Sequence, residues 1–122
     1  MTSSIPGRAG PEVVICTYRI KKGHDAAFLR ILARHWPTLK RQGLAAGRPA
    51  LIYRGVDQSK KTFFVEIFTW KAGGAEKAHE DPAVMQVWES MGTHMEIASR
   101  ASGNGAPPRA AGEGAFCESL RG

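Results

Sequence analysis

Residues 61–70, KTFFVEIFTW, and, after a short Lys/Gly break, residues 75–91, AEKAHEDPAVMQVWESM, decide the fold. The first run is dense in aromatic and β-branched side chains and holds neither Gly nor Pro, so it reads as a strand over 62–70. Phe64, Glu66, Phe68 and Trp70 share one face of it, and Phe63, Val65, Ile67 and Thr69 share the other. Glu66 interrupts an otherwise apolar run, and an acid inside a buried strand is costly unless a partner meets it. The second run opens a helical segment over 75–80. Asp81-Pro82 then starts a helix, with Asp as N-cap and Pro at the first helical position. Val84, Val87, Trp88, Met91 and Met95 form its apolar stripe, and fraying is expected near 96–100.

Working outward, residues 49–56 (PALIYRGV) read as a strand. The short turn Asp57-Gln58-Ser59-Lys60 joins it to 62–70 as a hairpin. Residues 12–20 (EVVICTYRI) read as another strand, with Val14, Cys16, Tyr18 and Ile20 on one face and Val13, Ile15, Thr17 and Arg19 on the other. Lys21-Lys22-Gly23 is a turn. From His24, HDAAFLRILARHWPTLKRQ has helical spacing, with Phe28, Ile31, Leu32, His35 and Leu39 on one stripe. Pro37 removes the bond to the Ala33 carbonyl, so a kinked helix that resumes briefly is expected. Gly43 suits its C-terminus.

The order strand, helix, strand, strand, helix and a closing strand is an α+β arrangement, the βαββαβ ferredoxin-like plait. Residues 1–11 read as a flexible leader, 12–98 as the folded domain, and 99–114 as a Gly/Pro/Ala-rich linker without periodicity. Residues 115–120 (AFCESL) alternate enough for a short C-terminal strand, and either serve as a displaced fourth strand or form only a tail. Two helices cover one face of a four-stranded sheet, yet the strands are apolar on both faces. A second copy packed sheet to sheet would cover the other, so a homodimer is expected.

The totals fit this reading. At 122 residues and 43% hydrophobic composition the chain is one globular domain. No apolar run approaches the roughly 20 residues that span a bilayer, and the N-terminus has no apolar signal core, so a cytoplasmic location and no membrane partner are expected. The net charge of +6 is spread over pairs at element ends and over the tails. That is the pattern of solvated charge rather than a basic stripe, and nucleic acid is not expected as a partner. The two cysteines, Cys16 and Cys117, form neither a disulfide framework nor a metal-ligand spacing, and two reduced thiols are the expectation.

The run from Val13 to about Met95 resembles the antibiotic biosynthesis monooxygenase-like (ABM) families of the dimeric α/β-barrel superfamily. The residues that carry it are YRIKKGHDAAFLRILARHWPTLKRQGL, then YRG with VEIFTWK, then AHEDPAVMQVWESM. The resemblance implies the plait, an apolar sheet face, a two-fold dimer and a cavity between sheet and helices. The fold hosts cofactor-free oxygenases, haem-degrading enzymes, dismutases, isomerases and proteins of no known activity, so it implies function poorly. Haem-degrading relatives rely on a Trp in this strand, which Trp70 matches, and on a His late in the second helix. Here Trp88 stands near that position and His94 lies about two turns beyond it. The haem reading thus loses its proximal ligand, and no cofactor and no metal are expected.

His79, early in the helical segment after the third strand, is the candidate base, because imidazole titrates near neutrality. It is also readable as a surface or half-buried histidine bonded to backbone. Glu66 is either a catalytic group that orients His79 or takes a substrate proton, or a structural carboxylate paired with Arg54 or Tyr53 on the neighbouring strand. Trp70, Tyr53, His35 and Trp88 are the candidate substrate-binding residues, and Trp88 and His35 are also readable as core. Two functions follow. One is a cofactor-independent monooxygenase-like catalyst acting on a small aromatic or polycyclic substrate. In it His79 assists deprotonation, Trp70 and Tyr53 orient the substrate, and Glu66 supports His79. The alternative is a non-catalytic ligand-binding or structural dimer.

Overall fold

The computed structural model describes residues 10–96 and 115–119. In chain order the elements are β1 (Glu12–Arg19), α1 (Asp25–Arg41), β2 (Ala45–Val56), β3 (Thr62–Trp70), α2 (Gly74–Ala78), α3 (Pro82–Gly92) and β4 (Ala115–Ser119). The strands form one antiparallel sheet in the order β2-β3-β1-β4. This is the expected α+β plait, with α2 as an extra turn before the second long helix. The run 115–120 supplies the fourth strand, pairing Val14–Tyr18 with Ser119–Ala115. The expected linker falls outside the described residues, as does nearly all of the leader.

Alternation along the strands sets the two faces of the sheet. Val14, Cys16 and Tyr18 of β1 and Phe64, Glu66, Phe68 and Trp70 of β3 are buried and face the helices. Phe28, Leu32 and Leu39 of α1 meet them, with Val84, Val87, Trp88 and Met91 of α3. Each large apolar side chain among them contributes about 1.5–3 kcal/mol by leaving water.

Helix α1 does not stop at Pro37 but continues to Arg41. Ala33 and Pro37 are both exposed, so the carbonyl that loses its helical donor opens to water rather than to the core. At the start of α1, Asp25 Oδ2 accepts from Arg54 Nη2 at 2.9 Å and Thr62 Oγ1 at 3.0 Å, which ties the helix to the β2–β3 hairpin. Those contacts, the Arg54 bond foremost, hold the Asp25 carboxyl below its usual range. Gly43, at φ 76°, turns the chain out of α1. Asp81 caps α3 as expected, accepting from Ala83 N at 2.9 Å and Val84 N at 3.2 Å. The helix ends at Gly92, before the expected fraying point.

Strand β2 begins at Ala45, four residues before its expected start. Ala45 and Ala46 pair with Trp70 and Thr69, and the register shifts between Ala46 and Leu51. The Gly/Pro content of 47–49 hides a strand there, and the irregularity is what accommodates it.

The opposite sheet face carries Ile15, Phe63, Val65 and Ile67, half-buried, with Val13, Leu51 and Tyr53 exposed at 37%, 53% and 56%. Gly55 lies across from Phe63 on this face, and a Cβ there would run into the Phe63 ring. No helix among the described residues is long and apolar enough to cross a membrane.

Candidate functional site

The centre of the sheet–helix interface holds a connected row of four polar side chains. Glu66, fully buried on β3, accepts from the Tyr18 hydroxyl at 2.7 Å. Its two oxygens lie 2.9 and 3.0 Å from His35 Nδ1 on α1. The Trp88 indole N–H on α3 donates to His35 Nε2 at 2.9 Å. Tyr18 of β1 and His35 of α1 thus converge on one carboxylate of β3, and Trp88 of α3 joins the row through His35. The expected cross-strand partners are not its partners. Ile52 stands opposite Glu66, Tyr53 stands opposite Val65 on the far face, and Arg54 turns to Asp25. The reason is parity: β2 places Tyr53 on the wrong side of the sheet, and a free acceptor on Asp25 takes the guanidinium.

Proton accounting fixes the state of the row. Indole N–H only donates, so His35 Nε2 must offer a lone pair. His35 is therefore neutral, with its proton on Nδ1 and directed at Glu66. Glu66 accepts from both neighbours, the pattern of an ionised carboxylate held by two neutral donors. Burial first, and then the charge of Glu66 and the bond to it, push the Tyr18 phenol well above its ordinary value, so Tyr18 stays a donor.

Aromatic rings wall this centre. The Phe68 ring meets the His35 ring edge-on at 5.6 Å, and Trp70 packs on Phe68 at 5.0 Å. Trp70 is buried on the helix-facing side, two residues along the strand from Phe68.

His79 lies elsewhere than expected. It is exposed, not turned into a cavity, and its ring rests 5.0 Å from the Trp88 ring. Helix α2 is short and buries Gly74 and Ala78, and His79 caps its end on the solvent side. Tyr18 was missed as a site residue. Its signal was the shared strand face with Cys16, but the β1–β3 register that brings it to Glu66 is not written in either strand alone.

An open groove of about 240 Å³ runs between α1 and α3, lined by Arg34, Pro37, Arg41 and Gln86 among others, and none of the four network residues lines it. No group of three His, Cys, Asp or Glu side chains among the described residues is placed to hold a metal ion. The cysteines correct the sequence expectation, because Cys16 and Cys117 are joined in a disulfide rather than reduced. They face each other across β1 and β4, a proximity that their separation of 101 residues conceals.

His24 and His94 form a separate pair, Nδ1 to Nδ1 at 2.9 Å. One must donate and the other accept, so both cannot be imidazolium. Burial first, then the positive fields of His24, Lys21 and Arg30, lower the His94 pKa. A base with a depressed folded pKa contributes fully above the unfolded value of about 6.5 and loses that contribution as pH falls toward the folded one. The urea midpoint should therefore be lower at about pH 5.5 than at about pH 7.5, and His94→Gln should flatten that difference. An unchanged slope in the variant would assign the dependence to other groups.

No family model matches the chain, and no curated protein matches it. Solved structures do. SnoaB, a cofactor-independent oxygenase from Streptomyces nogalater, superposes with a TM-score of 0.58 at 12% identity, over 93% of this chain and 94% of that one. A protein from Nitrosomonas europaea provisionally assigned as an antibiotic biosynthesis monooxygenase gives 0.60 at 14% identity, over 93% and 91%. A NIPSNAP family protein from Agrobacterium tumefaciens gives 0.51 at 14%, over 98% and 90%. The chain has the ABM-like, ferredoxin-like fold. At these identities the likeness is one of fold.

Proposed function

We propose that the protein is a cofactor-independent monooxygenase-like catalyst that acts, as a homodimer in the cytoplasm, on a small aromatic or polycyclic molecule. The observation that carries this reading is the buried Glu66–His35 pair. The carboxylate is 0% and the imidazole 2% exposed, and aromatic rings surround them. Such a pair is a proton acceptor waiting for a proton. Glu66 holds the Nδ1–H of His35, which leaves Nε2 as the basic nitrogen. When the Trp88 indole moves off Nε2, a phenol or an acidic methylene can take its place. The proton passes to Nε2, and Glu66 stabilises the imidazolium that forms. The substrate carbanion gives an electron to dioxygen. One oxygen atom ends as a carbonyl on the former methylene carbon and the other leaves as water. In this scheme the base is His35 rather than His79, which is exposed and rests its ring against that of Trp88. Trp70 and Phe68 form the wall, and Tyr18 steadies the carboxylate. Tyr53 belongs to the opposite sheet face and so to the dimer.

The test is oxygen uptake with polycyclic phenols that carry an acidic methylene. His35→Gln should lower the rate at least about hundredfold, the ordinary share of a general base. Equal rates in the native chain and the variant would remove His35 from the chemistry.

A second reading, a non-catalytic ligand-binding or structural dimer, has its own observation. Every polar atom of the Tyr18–Glu66–His35–Trp88 row already has a partner inside the protein. Under that reading no substrate of the panel consumes oxygen, and the row serves only to specify the packing.

A further inference from the structure

We propose that the Cys16–Cys117 disulfide is a redox latch on the Glu66 centre: closed, it fastens β4 along the flank of the carboxylate, and opened by a dithiol it releases that strand. Its functional consequence rests on the reading above, of which it is the regulation.

The register places the latch. Cys16 pairs with Glu66 on β3 and with Cys117 on β4. The disulfide is therefore one strand away from the buried carboxylate on the helix-facing side of the sheet. It also lies two residues from Tyr18, which donates to that carboxylate. Among the described residues, β4 is an edge strand of five residues that reaches the sheet only through β1. A strand so short has few ladder bonds of its own, so the covalent tie carries much of its attachment. The tie spans 101 residues of sequence, and a crosslink over so long a loop restricts the open chain strongly.

The two cysteines differ in exposure. Cys16 is 2% exposed, whereas Cys117 is exposed. A thiolate from a dithiol reaches the Cys117 sulfur first. The sulfur–sulfur bond breaks, and Cys16 leaves and takes a proton. The second thiol of the reductant then displaces Cys117, which is protonated in turn. Two electrons and two protons pass to the chain, and the dithiol becomes a disulfide. Without its tie, β4 can leave, and the β1 edge beside Tyr18 and Glu66 opens to water. A reducing compartment would favour the open form and an oxidising one the closed form.

The experiment compares three samples of the full chain: equilibrated with glutathione disulfide, then treated with dithiothreitol, and the Cys117→Ser variant. Intact mass after thiol blocking should show no free thiol in the first and two in the second. Hydrogen exchange of residues 115–119 should be at least roughly thirtyfold faster in the second and third samples than in the first, with α1 unchanged. Two free thiols after the oxidising treatment would overturn the latch, as would equal exchange of 115–119 in all three samples. None of these readouts uses a substrate. The latch can therefore fail while oxygen uptake persists, and oxygen uptake can be absent while the latch works.

Discussion

His35→Leu is expected to lower the stability of the chain by about 3–5 kcal/mol, read as a fall in the urea midpoint at constant m-value. The substitution keeps an apolar side chain of similar bulk in the α1 stripe, so the loss is one of polar partners rather than volume. The Trp88 N–H loses its acceptor, and Glu66 keeps Tyr18 as its remaining donor. A buried donor without an acceptor costs about 1–3 kcal/mol, and a buried carboxylate stripped of a partner costs more. Glu66→Leu should cost a comparable amount. The double variant should be more stable than the sum of the two single losses by about 1–3 kcal/mol, because the second change removes the group that the first left unpaired. Strict additivity would show that the two side chains are not coupled.

Ile67→Asp is expected to convert the proposed dimer to monomers. Ile67 is half-buried on the sheet face that no helix among the described residues covers. It sits at the middle of an apolar row, paired with Ile15 on one side and Leu51 on the other. In a sheet-to-sheet dimer a carboxylate here is desolvated in each copy and has no partner, a cost of several kcal/mol per charge. In sedimentation equilibrium at micromolar concentration, the native chain should run at twice its 13.2 kDa mass and the variant at 13.2 kDa. A native chain seen only at the single mass would refute the dimer. The variant should keep its helical circular dichroism, since the core that faces the helices is on the other side of the sheet.

The fold was legible wherever local chemistry decides it. The alternation in 62–70, the helical stripe from Phe28 to Leu39 and the Asp81-Pro82 start each required no partner to be read. What failed was long-range. The first half of β2 was hidden because Gly47 and Pro49 argue against a strand, and only pairing with Trp70 and Thr69 overrides them. The Glu66 requirement for a partner was clear from its burial, but the partners came from β1 and α1 rather than the adjacent hairpin strand. Strand register and helix placement are tertiary facts, and a hairpin partner is only the nearest guess in sequence. His79 was misplaced for a related reason: chemical suitability said nothing about which side of a one-turn helix would face solvent. The disulfide depends on two cysteines 101 residues apart meeting across β1 and β4, which no local pattern encodes.

Glu66 holds His35 as a neutral imidazole, its proton on Nδ1 and its lone pair on Nε2. Nitrogen-15 NMR of the imidazole side chains measures this directly near neutral pH. His35 should show one protonated nitrogen, Nδ1, coupled to a slowly exchanging proton, and one unprotonated nitrogen, Nε2, accepting from the Trp88 indole. A His35 with both nitrogens protonated, or with the proton on Nε2, would contradict it.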